Sequence, residues 1–405
     1  MRRSVLVASD QLPVPSDDFR ITVLISRATL LALLALLTAS PAAPQQGRAV
    51  ADTARTIRLC AGGDVTLGTN LDTLWTAHFA RKYGVRSPAL PSPDSLLAPL
   101  RPLFADADLA LINVEGAIGE GRPAHRKCGP NSTNCFALRQ PVAAAGALAR
   151  LGGRAAVVGN LANNHAGDAG AAGLRATERH LREAGVYATG TDTLATMVIT
   201  PRGDTVAVLG FSTSAGPDAR DLAAVRRHVA RAAERYRRVV VTVHMGAEGV
   251  RAQRTRNQTE IFLEKIDRGN PVAFARAATE AGADVVIGHG PHVMRATEWR
   301  DDALVFYSLG NLVTYGPFSF AEPLNRGAVA CVALDAEGRV RGGDLYATRQ
   351  ERPGRVRADL SGRAIALTDS LSALDFPSSA ARWHPDGALR MPLGAAATPA
   401  SRALR

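Results

Sequence analysis

Short apolar runs alternate with amphipathic stretches along most of this chain, and the runs end alike. Val157-Val-Gly-Asn-Leu-Ala-Asn-Asn-His-Ala-Gly-Asp-Ala-Gly170 shows it best: aliphatic residues give way to Asn163, Asn164 and His165. The stretch reads as a buried strand, a polar loop and a helix with Leu174, Thr177, Leu181 and Ala184 at helical spacing, which Asp168 is placed to cap. Strands alternating with helices make an α/β fold with short crossovers. Such folds bind ligands at the carboxyl ends of their strands.

Other strand ends carry similar chemistry. Ile57–Ala61 runs into Gly-Gly-Asp64, Asp108–Val114 into Glu115, and Val239–Val243 into His244, followed by Glu248. Asp284–Gly288 runs into His289 and His292, and Leu304–Ser308 into Gly310-Asn311. Taken singly, each has a structural reading: a turn at Asp64, an arginine partner for Glu115, an Asx turn at Asn163 and Asn164. As strands of one sheet they would meet at one edge. Carboxylates, amide oxygens and neutral imidazoles are ligands for a divalent metal. Such a set could hold two ions about 3.5–4 Å apart, as in two-metal hydrolases.

The remaining pattern is less specific. Leu71–Phe79 reads as helical or irregular, and Pro88 to Pro102 as a Pro-rich connection. Asp218–Arg238 reads as a helix with a stripe at Leu222, Val225, Val229, Ala232 and Tyr236; its arginines, Arg238 included, make a solvated face. A charged linker leads to a helix starting near Pro271, and Ala328–Leu334 with Gly342–Thr348 form a hairpin. Length alone suggests two domains. The formal charge of +11 comes almost wholly from arginine spread along the chain, and aromatics are only 5%, so a nucleic-acid platform is not expected. There is no P-loop lysine and no Gly-x-Ser-x-Gly elbow.

Arg27, the apolar Ala28–Leu37 and the small residues to Ala43 read as a secretory signal over residues 1–43, with an uncleaved signal anchor as the alternative. The acidic residues before Arg27 suit a signal poorly, which puts the true start nearer Val23. Export to the periplasm or cell surface is therefore expected. Cys128 and Cys135 bracket a turn-rich loop and would stabilise it by about 2–3 kcal/mol as a disulfide, a soft-metal site being the rival. Cys60 and Cys331, inside apolar strands, are expected to be buried thiols.

Six motifs in order, Gly63-Asp-Val-Thr-Leu-Gly68, Asn113-Val-Glu-Gly116, Leu161-Ala-Asn-Asn-His165, His244-Met-Gly-Ala-Glu248, Gly288-His-Gly-Pro-His-Val293 and Tyr307-Ser-Leu-Gly-Asn311, resemble the CapA family of capsule-synthesis and poly-γ-glutamate biosynthesis proteins. That family is related to metallo-dependent phosphatases. The resemblance implies a four-layer α/β/β/α sandwich, metallo-dependent phosphatase-like, in one domain over residues 56–348, which replaces the two domains suggested by length. Residues 349–405 would be an extension with one helix and a frayed tail. It implies two divalent ions (Mn, Fe or Zn), with Asp64, Glu115, Asn164, His244, His289 and His292 as ligands. His165 would be the proton donor beside Asn164, and Asn163, Glu248 and Asn311 secondary candidates. Thr66 stands where metallophosphatases usually have a histidine, and two residues rather than one separate His289 from His292. The first metal site would then be weak, completed by Glu248, or empty. The function implied is synthesis, transfer or release of an anionic capsule polymer, with a membrane polymer synthase as a partner. The alternatives are an exported phosphoesterase on a phosphate-containing substrate and a non-catalytic subunit that binds polymer or synthase.

Overall fold

The computed structural model describes residues 56–68, 81, 91–122, 127–128, 135–316 and 318–392. The signal-like segment, Leu71–Phe79 and the tail after Pro392 lie outside them. The chain builds half of one sheet, crosses to a second, and returns. Strands β1 (Ile57–Thr66), β2 (Leu109–Val114), β3 (Ala156–Asn160) and β4 (Val186–Thr189) begin the first sheet. Strands β5 (Thr196–Ile199), β6 (Thr205–Ser212), β7 (Val239–His244), β8 (Val285–His289), β9 (Thr297–Arg300) and β10 (Ala303–Phe306) form the second. Strands β11 (Asn311–Thr314), β12 (Arg326–Leu334), β13 (Val340–Glu351) and β14 (Arg355–Ala358) complete the first.

The strand order is β14-β13-β12-β1-β2-β3-β4 in the eight-stranded sheet, with β11 beside the second half of β1, and β9-β10-β8-β7-β6-β5 in the six-stranded one. Inward-facing Leu59, Leu111 and Val158 of the first sheet pack against Val208, Val240 and Ile287 of the second. The outer face of the first sheet is covered by helices α1 (Pro93–Leu97), α2 (Ala143–Leu151) and α3 (Gly170–Glu183). Helices α4 (Leu222–Ala233) and α5 (Pro271–Glu280) cover the second. Four layers result, α/β/β/α, the metallo-dependent phosphatase-like arrangement.

Several expectations need correction. The Pro-rich connection is helical from Pro93 to Phe104, because its prolines fall at first-turn positions, where no N–H is required. Helix α4 stops at Ala233, and Arg238 is buried, bonding the Asp335 carbonyl at 2.7 Å and Asp204 at 3.0 Å. The charged linker is packed structure, with a small hairpin (Ile261–Phe262 and Ile266–Asp267) and buried Glu260 and Arg268. Residues 349–392 are no appendage: β14 extends the first sheet, and Trp383 is buried in the core beside α6 (Arg363–Asp375).

Cys60 and Cys331 are a disulfide, not thiols. They are directly opposed across antiparallel β1 and β12, 4.0 Å apart at Cα, closer than the ~4.5 Å of an ordinary non-hydrogen-bonded pair. Cys128 and Cys135 form the second disulfide, so all four cysteines are paired.

Candidate metal centre

Strand register places the site. Asp64, Asn113 and Asn160 sit side by side across β1, β2 and β3, while Ser212, His244 and His289 do so across β6, β7 and β8. The ligand-type residues thus come from both sheets, not one, because the chain changes sheet between β4 and β5. Nor do all of them follow a strand. Asp64 lies within β1 at a register shift, and Asn311 begins β11. Gly63 is required there: a Cβ would fall 1.9 Å from the Gly310 carbonyl, which also accepts the Asp64 N–H at 3.1 Å.

Asp64, Glu115 and His244 are buried and offer ligand atoms within 4.8 Å of one another. His244 Nε2 is 3.3 Å from Glu115 Oε1, and His289 Nδ1 is 3.8 Å from Asp64 Oδ1. His292 bridges the two acids, with Nδ1 3.0 Å from Asp64 Oδ2 and Nε2 3.7 Å from Glu115 Oε1. It holds this place with φ at +59°, a region that costs a residue with a Cβ and often marks functional sites. Asn311 Oδ1 faces its Nδ1 at 2.9 Å, so Asn311 orients His292.

Burial pushes the imidazole of His289 down to about 4 and that of His244 below its usual value, so both are neutral at pH 7, the form that ligates metal. Burial acts the same way on His292, but Glu115, Asp64 and Asn311 outweigh it and raise that ring to about 9. Burial would raise Asp64 too, yet the three imidazoles hold its carboxyl well below the usual range.

The donor set fits a cation. Asp64 Oδ2, Glu115 Oε1, Asn164 Oδ1, both His244 nitrogens and His289 Nδ1 are buried and make no aligned hydrogen bond, the first two atoms only facing His292 Nδ1 (3.0 Å) and His244 Nε2 (3.3 Å). Buried polar atoms are normally well bonded, and so many unfulfilled ones on Asp64, Glu115, His244 and His289 fit a site that receives an ion. Thr66 supplies no ligand nitrogen; its hydroxyl donates to the Glu115 carbonyl. Glu248 Oε1 pairs with Arg268, leaving Oε2 3.9 Å from His292 Nε2.

The loop after β3 carries His165 and Asn164. Asp168 does not cap α3, whose N-cap is Ala169. Its carboxylate faces His165 Nδ1 at 2.7 Å, accepts the Leu138 N–H at 2.6 Å and pairs with Lys127. Asn163 is no ligand: its amide donates to Asn113 Oδ1 (3.1 Å) and the Val114 carbonyl (3.0 Å), and its oxygen accepts the His165 N–H (3.0 Å). Asn113 then donates to Asp64 Oδ1 at 2.8 Å. An amide chain therefore ties the His165 loop to the first acid.

Asn113, Asn160, Asp168 and Arg268 were missed from sequence. Asn113 and Asn160 interrupt apolar strands, a signal available there. Arg268 is 2% exposed and donates to the Gly246 carbonyl at 3.2 Å and Ser214 Oγ at 3.3 Å. Nothing in the local pattern marked it.

A two-sheet sandwich with acids and imidazoles buried at its strand ends is a metallophosphatase-like fold carrying a candidate metal centre. The chain belongs to the bacterial capsule synthesis family, whose model, described as bacterial capsule synthesis protein PGA_cap, matches residues 58–315. It is 29% identical over 179 residues to the capsule biosynthesis protein CapA of Bacillus anthracis, a match covering 38% of this chain and 39% of that protein. It is 50% identical over 40 residues to the PGA biosynthesis protein CapA of Bacillus subtilis (strain 168), 10% of each. The chain thus spans well under half the length of these curated relatives. A 5'-nucleotidase precursor from Thermus thermophilus superposes with a TM-score of 0.36 at 15% identity, over 72% of this chain and 54% of that one; so loose a likeness carries no argument about activity.

Proposed function

We propose that this protein acts outside the cytoplasm in the synthesis, transfer or release of an anionic capsule polymer, through a hydrolase-type step at the Asp64–Glu115–His244 centre. The observation that carries the reading is the set of unpaired ligand atoms buried at that centre. Family membership supports the capsule context. Two disulfides and the signal-like Ala28–Leu37 support export.

Asp64, Glu115 and His244 would hold a divalent cation, with His289 and the Asn164 oxygen as further donors and His292 joining them on giving up its ring proton to the ion's charge. Such an ion supplies Lewis-acid stabilisation to charge developing on a phosphoryl or acyl oxygen. Asp168 fixes the His165 ring through Nδ1, leaving Nε2 as the atom to give or take a proton. Asn163 holds that loop in register with Asp64. Arg268 places a buried positive charge near both acids.

The test is turnover of poly-γ-glutamate and of a generic phosphodiester by the full chain with Mn, Fe or Zn, beside His165→Asn and Asp64→Ala. Polymer cleavage lost in both variants supports the proposal. Phosphodiester turnover with the polymer untouched assigns a plain phosphoesterase instead, and tight metal binding with neither activity assigns a non-catalytic subunit.

A further inference from the structure

A cavity of about 440 Å³ lies between Arg254–Asn257, the start of α5, strand β9 and the C-terminal end of α6. It shares no lining residue with the metal-type centre, and its volume falls in the ~300–1,000 Å³ range of small-ligand sites. Four of its lining residues are arginines: Arg254, Arg256, Arg276 and Arg300.

Two of these are engaged. Arg254 pairs with Asp375, whose other oxygen accepts the Thr255 N–H at 2.8 Å. Arg300 lies 3.1 Å from Glu298, a carboxylate only 4% exposed that also accepts from Tyr307 Oη at 2.7 Å and Ser379 Oγ at 2.9 Å. Both acids are therefore satisfied within the protein. Arg256 and Arg276 are exposed and have no acidic partner among the described residues. The wall also holds two buried polar atoms without a partner, the hydroxyl of Thr255, a residue 2% exposed, and Arg300 Nε. Unpaired buried donors beside two free guanidinium groups point to an absent acceptor.

We propose that this cavity is a second binding site, for a carboxylate-rich chain. Its walls already display the recognition, since two of the four guanidinium groups rest on carboxylates, whose geometry matches their planar fork. Arg256 and Arg276 take two further carboxylates, and Thr255 donates its hydroxyl. A chain held here is retained near the protein between reactions at the centre, raising its local concentration there. The choice of a polymeric occupant rests on the capsule reading above, but the binding itself does not depend on turnover.

The test is calorimetric titration of the full chain with a tetraglutamate peptide at fixed low salt. The double variant Arg256→Glu/Arg276→Glu is expected to bind about tenfold more weakly or worse. Arg227→Glu/Arg231→Glu, which makes the same charge change on exposed α4 positions, is expected to lose less than about twofold. Asp64→Ala should bind the peptide as wild type does, even where it abolishes metal binding or turnover. Absence of wild-type binding, equal loss in the two double variants, loss in Asp64→Ala, or displacement of the peptide by equimolar pyrophosphate would each overturn the assignment.

Discussion

Two buried charged clusters, Glu260 with Arg295 and Asp64 with Glu115, His244 and His289, differ in one respect. Arg295, 1% exposed, spends its guanidinium on both oxygens of Glu260 (2.9 and 2.8 Å) and on the Ala252 carbonyl (2.6 Å), while Glu260 also accepts the Ala247 N–H at 2.7 Å. Asp64, Glu115, His244 and His289 are as deeply buried, yet each keeps a polar atom that makes no aligned hydrogen bond. Burial of charge therefore does not mark the functional site. Unmet bonding capacity does: one cluster is a closed structural pair, the other a set of ligand-type atoms whose hydrogen bonding is unfulfilled, which is the ground for the proposed cation site.

The sharpest way to break this contrast is to remove half of the closed pair. Glu260→Ala leaves Arg295 buried and unpaired and is expected to cost about 3–5 kcal/mol in denaturant unfolding. A loss under about 1 kcal/mol would mean the pair is not the closed unit described. Next in size, a divalent cation at about a hundred times its Kd should raise wild-type stability by about 2.7 kcal/mol. Asp64→Ala should gain nothing from the same ion; equal gains would place the ion elsewhere.

Asn163→Ala strips partners from the His165 N–H and Asn113 Oδ1, with an expected loss of about 1–3 kcal/mol. Unchanged stability would show the amide chain to be idle. The smallest effect concerns pH. Burial raises the Asp168 carboxyl, but His165 and Lys127 outweigh it and hold it below its ordinary 3.8. Its stabilisation is therefore present above about pH 4 and is lost as pH falls through the lower folded value. The stability gap between wild type and Asp168→Asn should shrink on acidification from pH 5 to pH 2; a gap that widens would reverse the sign.

Much of the site was legible in sequence because strand ends are local features. Glu115, His244 and His289 each close an apolar run, and Asn164-His165 breaks another. What escaped depends on register between distant strands. Asn113 matters because β2 aligns it with Asp64, and Cys60 meets Cys331 because β12 returns antiparallel after 271 residues. Neither alignment is written in the local pattern. Arg268 and Glu260 looked like linker charges, since a segment's polarity does not reveal that Gly246 and Arg295 will bury it. The four layers were implied by the family resemblance that the six motifs carry, whereas the integration of residues 349–392 was not, because Trp383 packs on Phe306 and bonds Thr297, partners far away in sequence.

The central claim is that the unpaired atoms at the strand ends are a divalent-cation site. Elemental analysis of purified wild type, Asp64→Ala and His244→Ala after exposure to Mn, Fe and Zn tests it directly. Bound metal at or above one equivalent in wild type, falling sharply in both folded variants, is the result expected. Wild type that takes up no metal, or variants that keep as much, would contradict it.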